Sequence, residues 1–404
     1  MKHVKYLILG AGPSGLTLAN SLKQKGESSF IVIEKEETAG GLCRSVSVDG
    51  SPFDIGGGHF LDVKQEEVTS FLFGFMPEDE WDLYVRDSRI DLKGNMVSHP
   101  LEANIWQLPE DVQKEYLDAI KKAGCNTGLP MPEHFTDWIF WKLGDRIAED
   151  YMLPYNRKMF ADELNDLGTY WLEKLPNVSF EETFKSCSEH KAYGTQPGHA
   201  RFYYPKHYGY GEVFLRMAEE IKDNILYSSK VNAIDFNDTS VTIDDGTTIE
   251  ADVIITTIPW ECFDNIKGMP EDIKKDIKKL KISSIETRYV PENLDTKAQW
   301  IYIPDESKPY HRILVRHNFC PGSKGYWLET RKERVSMYAP GDDAFTYMNE
   351  HAYPLNTIEK PAVMERLLSF AGSKNVIGLG RWGEHCHYNS DVVISKALHL
   401  AQKL

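Results

Sequence analysis

Apolar positions near the start of the chain change their spacing twice. Residues 4–9 form a short apolar run, then Gly10-Ala11-Gly12-Pro13-Ser14-Gly15 intervenes, and Leu16, Leu18, Ala19 and Leu22 recur at helical spacing up to Gly26. A second run, Phe30-Ile31-Val32-Ile33, stops at Glu34, so the pattern predicts strand, helix, strand. The stretch 103–185 has another texture. A helix is expected from Pro109-Glu110-Asp111, with apolar residues at 112, 116, 117 and 120. A second is expected after Thr136, and a third after Asp145 that ends before Pro154. From 226 to 258 the pattern is β: Leu226-Tyr227, Val231 to Phe236, Ser240 to Ile243, a tight turn at Asp244-Asp245-Gly246, and the buried run Val253-Ile254-Ile255. Further strands between 281 and 340 are punctuated by Pro291, Pro304, Pro309 and Pro321. Asn375-Val376-Ile377-Gly378 is a last apolar strand before a helix whose Ile394, Ala397, Leu398 and Ala401 share one face.

Strands of one texture at both ends predict an α/β chain with a nucleotide domain assembled from separate segments, 1–78, 205–260 and 372–404. A helical domain is expected at 103–185. A mainly antiparallel β-sheet domain is expected from 79–102, 186–204 and 261–371. With 404 residues, 41% hydrophobic, the chain has enough apolar surface for such a core, which excludes disorder. The formal charge of −15 argues against a nucleic-acid partner but leaves room for a locally basic pocket. No apolar run reaches the roughly 18 residues of a membrane helix. The opening apolar run leads straight into the glycine turn without a cleavage pattern, so it reads as a strand of a cytoplasmic protein. Six scattered cysteines without a C-x-x-C pair fit free thiols in a reducing compartment.

Gly10-x-Gly12-x-x-Gly15 between strand and helix, with Glu34 ending the next strand, is a dinucleotide-binding arrangement. Gly10 turns the chain, Gly12 lets backbone approach a pyrophosphate beside Ser14, and Gly15 allows close helix–strand packing. The helix N-terminus faces the phosphates. Glu34, followed by Lys35, is placed for ribose hydroxyls. This fingerprint alone does not separate NAD from FAD. Gly40-Gly41-Leu42-x-Arg44-Ser45 and Phe53-Asp54-Ile55-Gly56-Gly57-Gly58-His59-Phe60 then bring more glycine backbone, as contact with a flat flavin beyond the pyrophosphate requires. The expected domain is therefore Rossmann-like and FAD-binding.

At these residues the chain resembles the FAD superfamily of amine oxidases and UDP-galactopyranose mutases, and further along it is more similar to the mutases. The similarity continues through His99-Pro100-Leu101-Glu102-Ala103-Asn104, Leu153-Pro154-Tyr155-Asn156-Arg157-Lys158 and Phe202-Tyr203-Tyr204-Pro205. It then runs through Trp300-Ile301-Tyr302-Ile303-Pro304, Pro309-Tyr310-His311-Arg312, His351-Ala352-Tyr353-Pro354 and Gly380-Arg381-Trp382-Gly383. The resemblance implies a redox-neutral isomerase of a UDP-sugar, in which reduced flavin N5 is the nucleophile on the anomeric carbon. It implies that Arg312 grips the diphosphate, Tyr353 adds a hydroxyl, Asn156 lies beside it, and His59 sits near flavin N5. Trp300, Tyr302 and Tyr155 would line the substrate cavity, Arg381 would neighbour the cofactor, and Val231 would meet adenine. Leu42, Gly57 and Gly58 would touch the flavin, and the helix beginning near Asn389, Ser390 and Asp391 would point its positive end at the pyrimidine. Ser390 or Asp391 is the expected N-cap. On the strand Trp300–Ile303 the aromatics face one way and the isoleucines the other, and Tyr310 is expected to share a face with Arg312.

Four positions depart from the mutase pattern. Lys174 stands nearest the expected second arginine, and lysine lacks the bidentate fork. His99 and Glu102 replace a tyrosine and a glutamine of the uridine region, Phe160 replaces a tryptophan, and His387 and Asn389 replace a tyrosine and an acid near the C-terminus. These keep two other readings open: an FAD oxidoreductase of the amine-oxidase or protoporphyrinogen-oxidase type, and a catalytically silent FAD-binding homologue. The expected partners are a nucleotide-sugar, NAD(P)H as reductant, and a second copy of the chain. No metal site is expected: His385-x-His387 has no further ligand at zinc-site spacing. The lysines from 274 to 281, interleaved with Ile273, Ile277 and Leu280, read as a solvated helix face.

Overall fold

The computed structural model describes residues 2–172, 175–194, 200–339, 341 and 343–404. Alternation decides how the first unit packs. From β1 (Lys2–Leu9) and β2 (Phe30–Ile33), Tyr6, Ile8, Phe30 and Val32 enter one core with Leu16 and Ala19 of α1 (Pro13–Gln24). Ile394, Ala397 and Ala401 of the helix Ser390–Lys403 join them there. Leu7, Leu9, Ile31 and Ile33 enter a second core, with Met364 and Leu367 of the helix Lys360–Gly372. Strand side chains alternate in direction, so an unbroken apolar run suits a parallel sheet covered by helices on both faces. Each such Leu or Ile contributes roughly 1.5–3 kcal/mol by leaving water.

That sheet has eight strands. Ile225–Leu226, β2, β1 and Thr248–Thr256 lie side by side in parallel, and Val376–Gly378 pairs in parallel with Thr248–Thr256. Ser240–Ile243 and Val231–Asp235 continue antiparallel, and Asn265–Lys267 closes the edge. Its strands come from three distant stretches of the chain, and Asn265–Lys267 lies beyond the boundary at 260 expected for this unit. A second sheet of seven strands runs in the order Thr346–Pro354, Ile282–Val290, Tyr326–Arg331, Arg312–Leu314, Trp300–Tyr302, Ser88–Leu92, Asn95–Ser98. Only the contact between Trp300–Tyr302 and Ser88–Leu92 is parallel.

The helical stretch has its own core, where Tyr116 and Ile120 from Glu110–Lys122 meet Phe135, Trp138 and Ile139 from Phe135–Ile147. The expected stop before Pro154 is not there. One π turn, Ala148–Met152, leads directly into the helix Leu153–Met159, with Pro154 in its first turn. A proline needs no amide partner in a first turn, and its fixed φ suits helix entry. Tyr310 also differs from expectation. It precedes the strand Arg312–Leu314 rather than lying in it, and it packs with Ile301, Ile303 and Ile313, away from the Arg312 face. The alternation rule does not extend beyond the strand's end.

The alternation expected on the strand Trp300–Tyr302 holds: Trp300 and Tyr302 enter cores separate from that of Ile301. The lysine-rich helix is short, Glu271–Ile277, and buries Ile273 and Ile277.

Candidate functional site

The glycine turn begins where β1 ends. Gly10 has φ +101°, and its amide donates to the Ile33 carbonyl at 2.8 Å. A Cβ at Gly15 would lie 2.0 Å from the Gly10 carbonyl oxygen, so any side chain there would drive α1 off the strand. Gly12 caps α1 without a side-chain hydrogen bond. The first amides of α1 therefore face outward with the positive end of the helix dipole. Glu34, at the end of β2, accepts from Ala11 N at 2.8 Å through one oxygen and from Glu36 N at 3.0 Å through the other. Burial raises its pKa, against the pull of those two amides. Each oxygen keeps a second lone pair for a ribose hydroxyl.

From this turn a cleft of about 390 Å³ runs along the protein. One end is lined by Glu34, Lys35 and Val231; the middle by Gly10, Gly12, Ser14, Gly41 and Leu42; the far end by His59, Arg381, Asn389 and Ser390. The 14-residue helix Ser390–Lys403 starts at that far end. Its N-cap is Asn389, not Ser390 or Asp391, which belong to the first turn. Ser390 is engaged by the Tyr210 hydroxyl at 2.9 Å, and one Asp391 oxygen accepts from Gln65 at 3.0 Å, which holds both in the helix rather than at its cap. Gly15, Gly57, Gly58 and Asp391 are not on the cleft wall. A Cβ on Gly57 would meet Glu329 Oε1 at 2.2 Å, and one on Gly58 would meet Leu314 at 2.2 Å, so these glycines serve close packing behind the cleft.

Behind the far end lies a second group of residues. Arg312 and Glu329 are cross-strand partners, with Arg312 Nη2 at 2.5 Å from Glu329 Oε2. Arg312 Nη2 also donates to the Tyr353 hydroxyl at 3.3 Å. The Tyr353 ring lies 5.9 Å from the Arg381 guanidinium and 4.7 Å from His387, and Phe160 closes that side at 6.2 Å from Tyr353. On the other side, Tyr302 meets Tyr155 edge-on at 5.4 Å and His99 at 4.9 Å. Trp300, Tyr302, Tyr155, Asn156 and Phe160 are buried, whereas Arg312, Tyr353, His59, His99 and His387 keep partial exposure. The Asn156 amide donates to the Met152 carbonyl at 2.7 Å, one turn back on its own helix. Glu102 is buried, which raises its pKa. Lys174 lies outside the described residues.

The profile of the flavin containing amine oxidoreductase family matches residues 13–286. The chain belongs to this family. Its fold is that of a reduced UDP-galactopyranose mutase, with a TM-score of 0.89 at 23% identity, covering 99% of this chain and 93% of that one. Putrescine oxidase with bound putrescine gives 0.65 at 14% identity over 99% and 98% of the two chains. A CLA-producing fatty acid isomerase from P. acnes gives 0.66 at 14% identity over the same shares. By sequence, a Baeyer-Villiger monooxygenase of Pseudomonas aeruginosa is 36% identical over 77 residues, which is 19% of this chain and 13% of the monooxygenase. A protein encoded in the nifH2 3′ region of Methanothermococcus thermolithotrophicus is 43% identical over 108 residues, 26% of this chain and 98% of its own length.

The cleft of this amine oxidoreductase family member fits FAD. Two helix N-termini without a side-chain cap hydrogen bond, the tight Gly15 approach and the Glu34 anchor are what an adenine dinucleotide needs, and the far end offers a second positive dipole to an electron-rich ring. His59 stands there with Nδ1 at 3.2 Å from the Gly57 carbonyl. A carbonyl only accepts, so Nδ1 carries the hydrogen and Nε2 is left as the acceptor atom. Burial and the positive charge of Arg381 lower its pKa to about 4, so it is neutral at pH 7. Arg381 spends its guanidinium on the carbonyls of Tyr388 and Ala352, tying the strand of Tyr353 to the loop before the C-terminal helix. Burial works against the charge of Glu329, but Arg312 and His311 hold its carboxyl down to about 2.

Two further residues touch the candidate site residues and were not singled out from the sequence. Glu329, 1% exposed, balances Arg312. Arg86 donates to the Tyr302 hydroxyl at 2.7 Å and to Ser88 Oγ at 2.7 Å, with its guanidinium 4.7 Å from the Trp300 ring. Neither carries a one-dimensional signal: Arg86 opens the charged run Arg86-Asp87-Ser88-Arg89, which reads as a solvated turn.

Proposed function

We propose that this protein is an FAD-dependent, redox-neutral isomerase of a UDP-sugar, similar in action to UDP-galactopyranose mutases. The observation that carries this reading is the line Arg381, Tyr353, Arg312. It joins the far end of the flavin cleft to an arginine held among aromatic rings. An anionic diphosphate on Arg312 would put the attached sugar beside the cleft's end. Reduced FAD, when bound there, supplies a nucleophilic ring nitrogen and leaves the reaction without net redox change.

The chain's own residues do the rest. Arg312 offers a planar fork and Tyr353 a hydroxyl to the diphosphate, and Glu329 fixes the fork's orientation. Trp300, Tyr302 and Tyr155 supply aromatic surface for the base and sugar, with His99 and Glu102 at its edge and Asn156, Phe160 and His387 around the diphosphate. Lys174 is proposed as a further cation. Neutral His59 presents Nε2 as an acceptor near the reacting end, where it can take a hydrogen bond without adding a charge. The positive helix end and Arg381 favour a negatively charged reduced ring. NAD(P)H is proposed as the reductant, and the setting as a cytoplasmic homo-oligomer. No helix among the described residues is long and apolar enough to cross a membrane.

The decisive experiment is anaerobic incubation with dithionite and UDP-galactofuranose. The expected result is UDP-galactopyranose with the flavin still reduced at the end. If no sugar nucleotide is converted while an amine bleaches oxidised flavin, the protein is an oxidoreductase instead, a reading favoured by the match to the amine oxidoreductase profile.

A further inference from the structure

The charge of Arg312 is largely matched within the protein, because Glu329 stands 2.5 Å from its Nη2. A matched pair attracts a dianion weakly, so a diphosphate-bearing substrate calls for a second cation nearby. The sheet register shows where one stands. Tyr302 and Arg312 are direct cross-strand partners, and Trp300 lies two residues back on the same strand face. Arg86 binds that face: Nη2 donates to the Tyr302 hydroxyl and the guanidinium lies over the Trp300 ring. Nε is held by Ser88 Oγ, so the fork's plane is fixed before any ligand arrives. Pre-set geometry lowers the entropy cost of a bidentate contact. Arg86 remains partly exposed and close enough to His99 to help lower its pKa, so its charge is felt across the aromatic wall.

We propose that Arg86 is a second guanidinium contact for an anionic group of the substrate, either a phosphate of the diphosphate or a carboxylate on the sugar. This rests on the nucleotide-sugar reading above. It gives Arg86 a task that the sequence pattern had placed near Lys174.

The test measures binding to the FAD-loaded full chain by quenching of flavin fluorescence, with UDP, UDP-galactose and UDP-galacturonate as probes. Wild type is compared with Arg86→Met and Arg86→Lys. A phosphate contact weakens all three ligands about ten- to hundredfold in Arg86→Met, partly restored by lysine, and flattens the salt dependence of UDP binding. A sugar-carboxylate contact weakens UDP-galacturonate alone. Unchanged affinities for all three in Arg86→Met, or a loss with the salt dependence intact, overturn the proposal. Should Arg86→Met fail to load FAD, Arg86→Lys decides: the fork's loss must still weaken binding severalfold. If wild type binds none of the three, the isomerase reading fails, and inorganic pyrophosphate becomes the probe. Pyrophosphate binding that depends on Arg86 keeps the inference; binding that ignores Arg86, or no binding at all, ends it.

Discussion

Along the flavin cleft the binding surface is mostly backbone: the turn Gly10 to Gly15, the loop at Gly41 and Leu42, and two helix N-termini. Around Arg312 the groups that meet are side chains, drawn from residues as distant as Arg86, Tyr155, Tyr302, Glu329 and Tyr353. The two are stabilised differently. The cleft depends on chain shape, where the controlling quantity is steric room at a few glycines. The side-chain cluster depends on charge matching inside a low-dielectric interior, where the controlling quantity is the pairing of Arg312 with Glu329. Each therefore breaks in its own way.

The largest effect is expected at the first region. Gly15→Ala would place a Cβ 2.0 Å from the Gly10 carbonyl oxygen, where nothing flexible can give way. The cost is expected to exceed about 4 kcal/mol, beyond the usual range for a single substitution. The measurement is flavin content after purification, together with the urea midpoint. Gly12→Ala is the contrast, since its Cβ would meet nothing nearer than the Gly41 Cα at 3.8 Å. A soluble, yellow Gly15→Ala protein would mean that α1 does not sit on β1 as described.

Next comes Glu329→Gln in the second region. It keeps the shape but leaves Arg312, whose side chain is 15% exposed, without its countercharge, which costs up to about 3–5 kcal/mol. A loss of stability of that size in urea, with FAD still bound, would separate the Arg312 cluster from the cleft. Replacing the other partner, Arg312→Ala, strips the 1%-exposed Glu329 of its countercharge, so a similar loss of about 3–5 kcal/mol is expected alongside an effect on ligands. Losing a charge-assisted contact of about 1.5–3 kcal/mol predicts UDP binding weakened roughly ten- to hundredfold. An unchanged UDP affinity would remove Arg312 from the nucleotide site.

The same contrast explains what could be read from the amino-acid sequence. Gly10, Gly12, Gly15 and Glu34 work through spacing along one strand–helix–strand unit, and spacing is visible in one dimension. The unbroken apolar runs at 4–9 and 30–33 likewise announce a covered parallel sheet. Glu329 is invisible for the opposite reason. It lies in the buried strand Tyr326–Arg331 between Leu328 and Thr330, and an acid there makes sense only beside Arg312 across the sheet. Arg86 is hidden because the strand it precedes gains its meaning from a parallel pairing with Trp300–Tyr302, over two hundred residues later. Local rules also failed at their edges. Tyr310 was assigned a face by a strand that had not yet begun, and the cap of the last helix fell one residue earlier than its sequence suggests.

The smallest effect sharpens the comparison by pH. His99 stands against Tyr302 with Nδ1 buried and without a hydrogen-bond partner. Burial, helped by the charge of Arg86, lowers its pKa from 6.5 to about 3. A histidine with a lowered folded pKa takes up its proton first in the unfolded chain. Acidification between pH 6.5 and about 3 therefore favours unfolding, and the contribution is fully present only above 6.5. His99→Asn removes the titrating group. The stability difference between wild type and variant should then shift in the variant's favour as pH falls below 6.5, by at most about 1.4 kcal/mol per pH unit. Above pH 7 the difference should be constant. His59 obeys the same sign with a pKa of about 4, so its variant should show the shift over a narrower window. A His99 difference that stays flat from pH 7 to 5 would mean that the folded ring takes up its proton with the same pKa as the unfolded one, against the lowering by burial and the Arg86 charge.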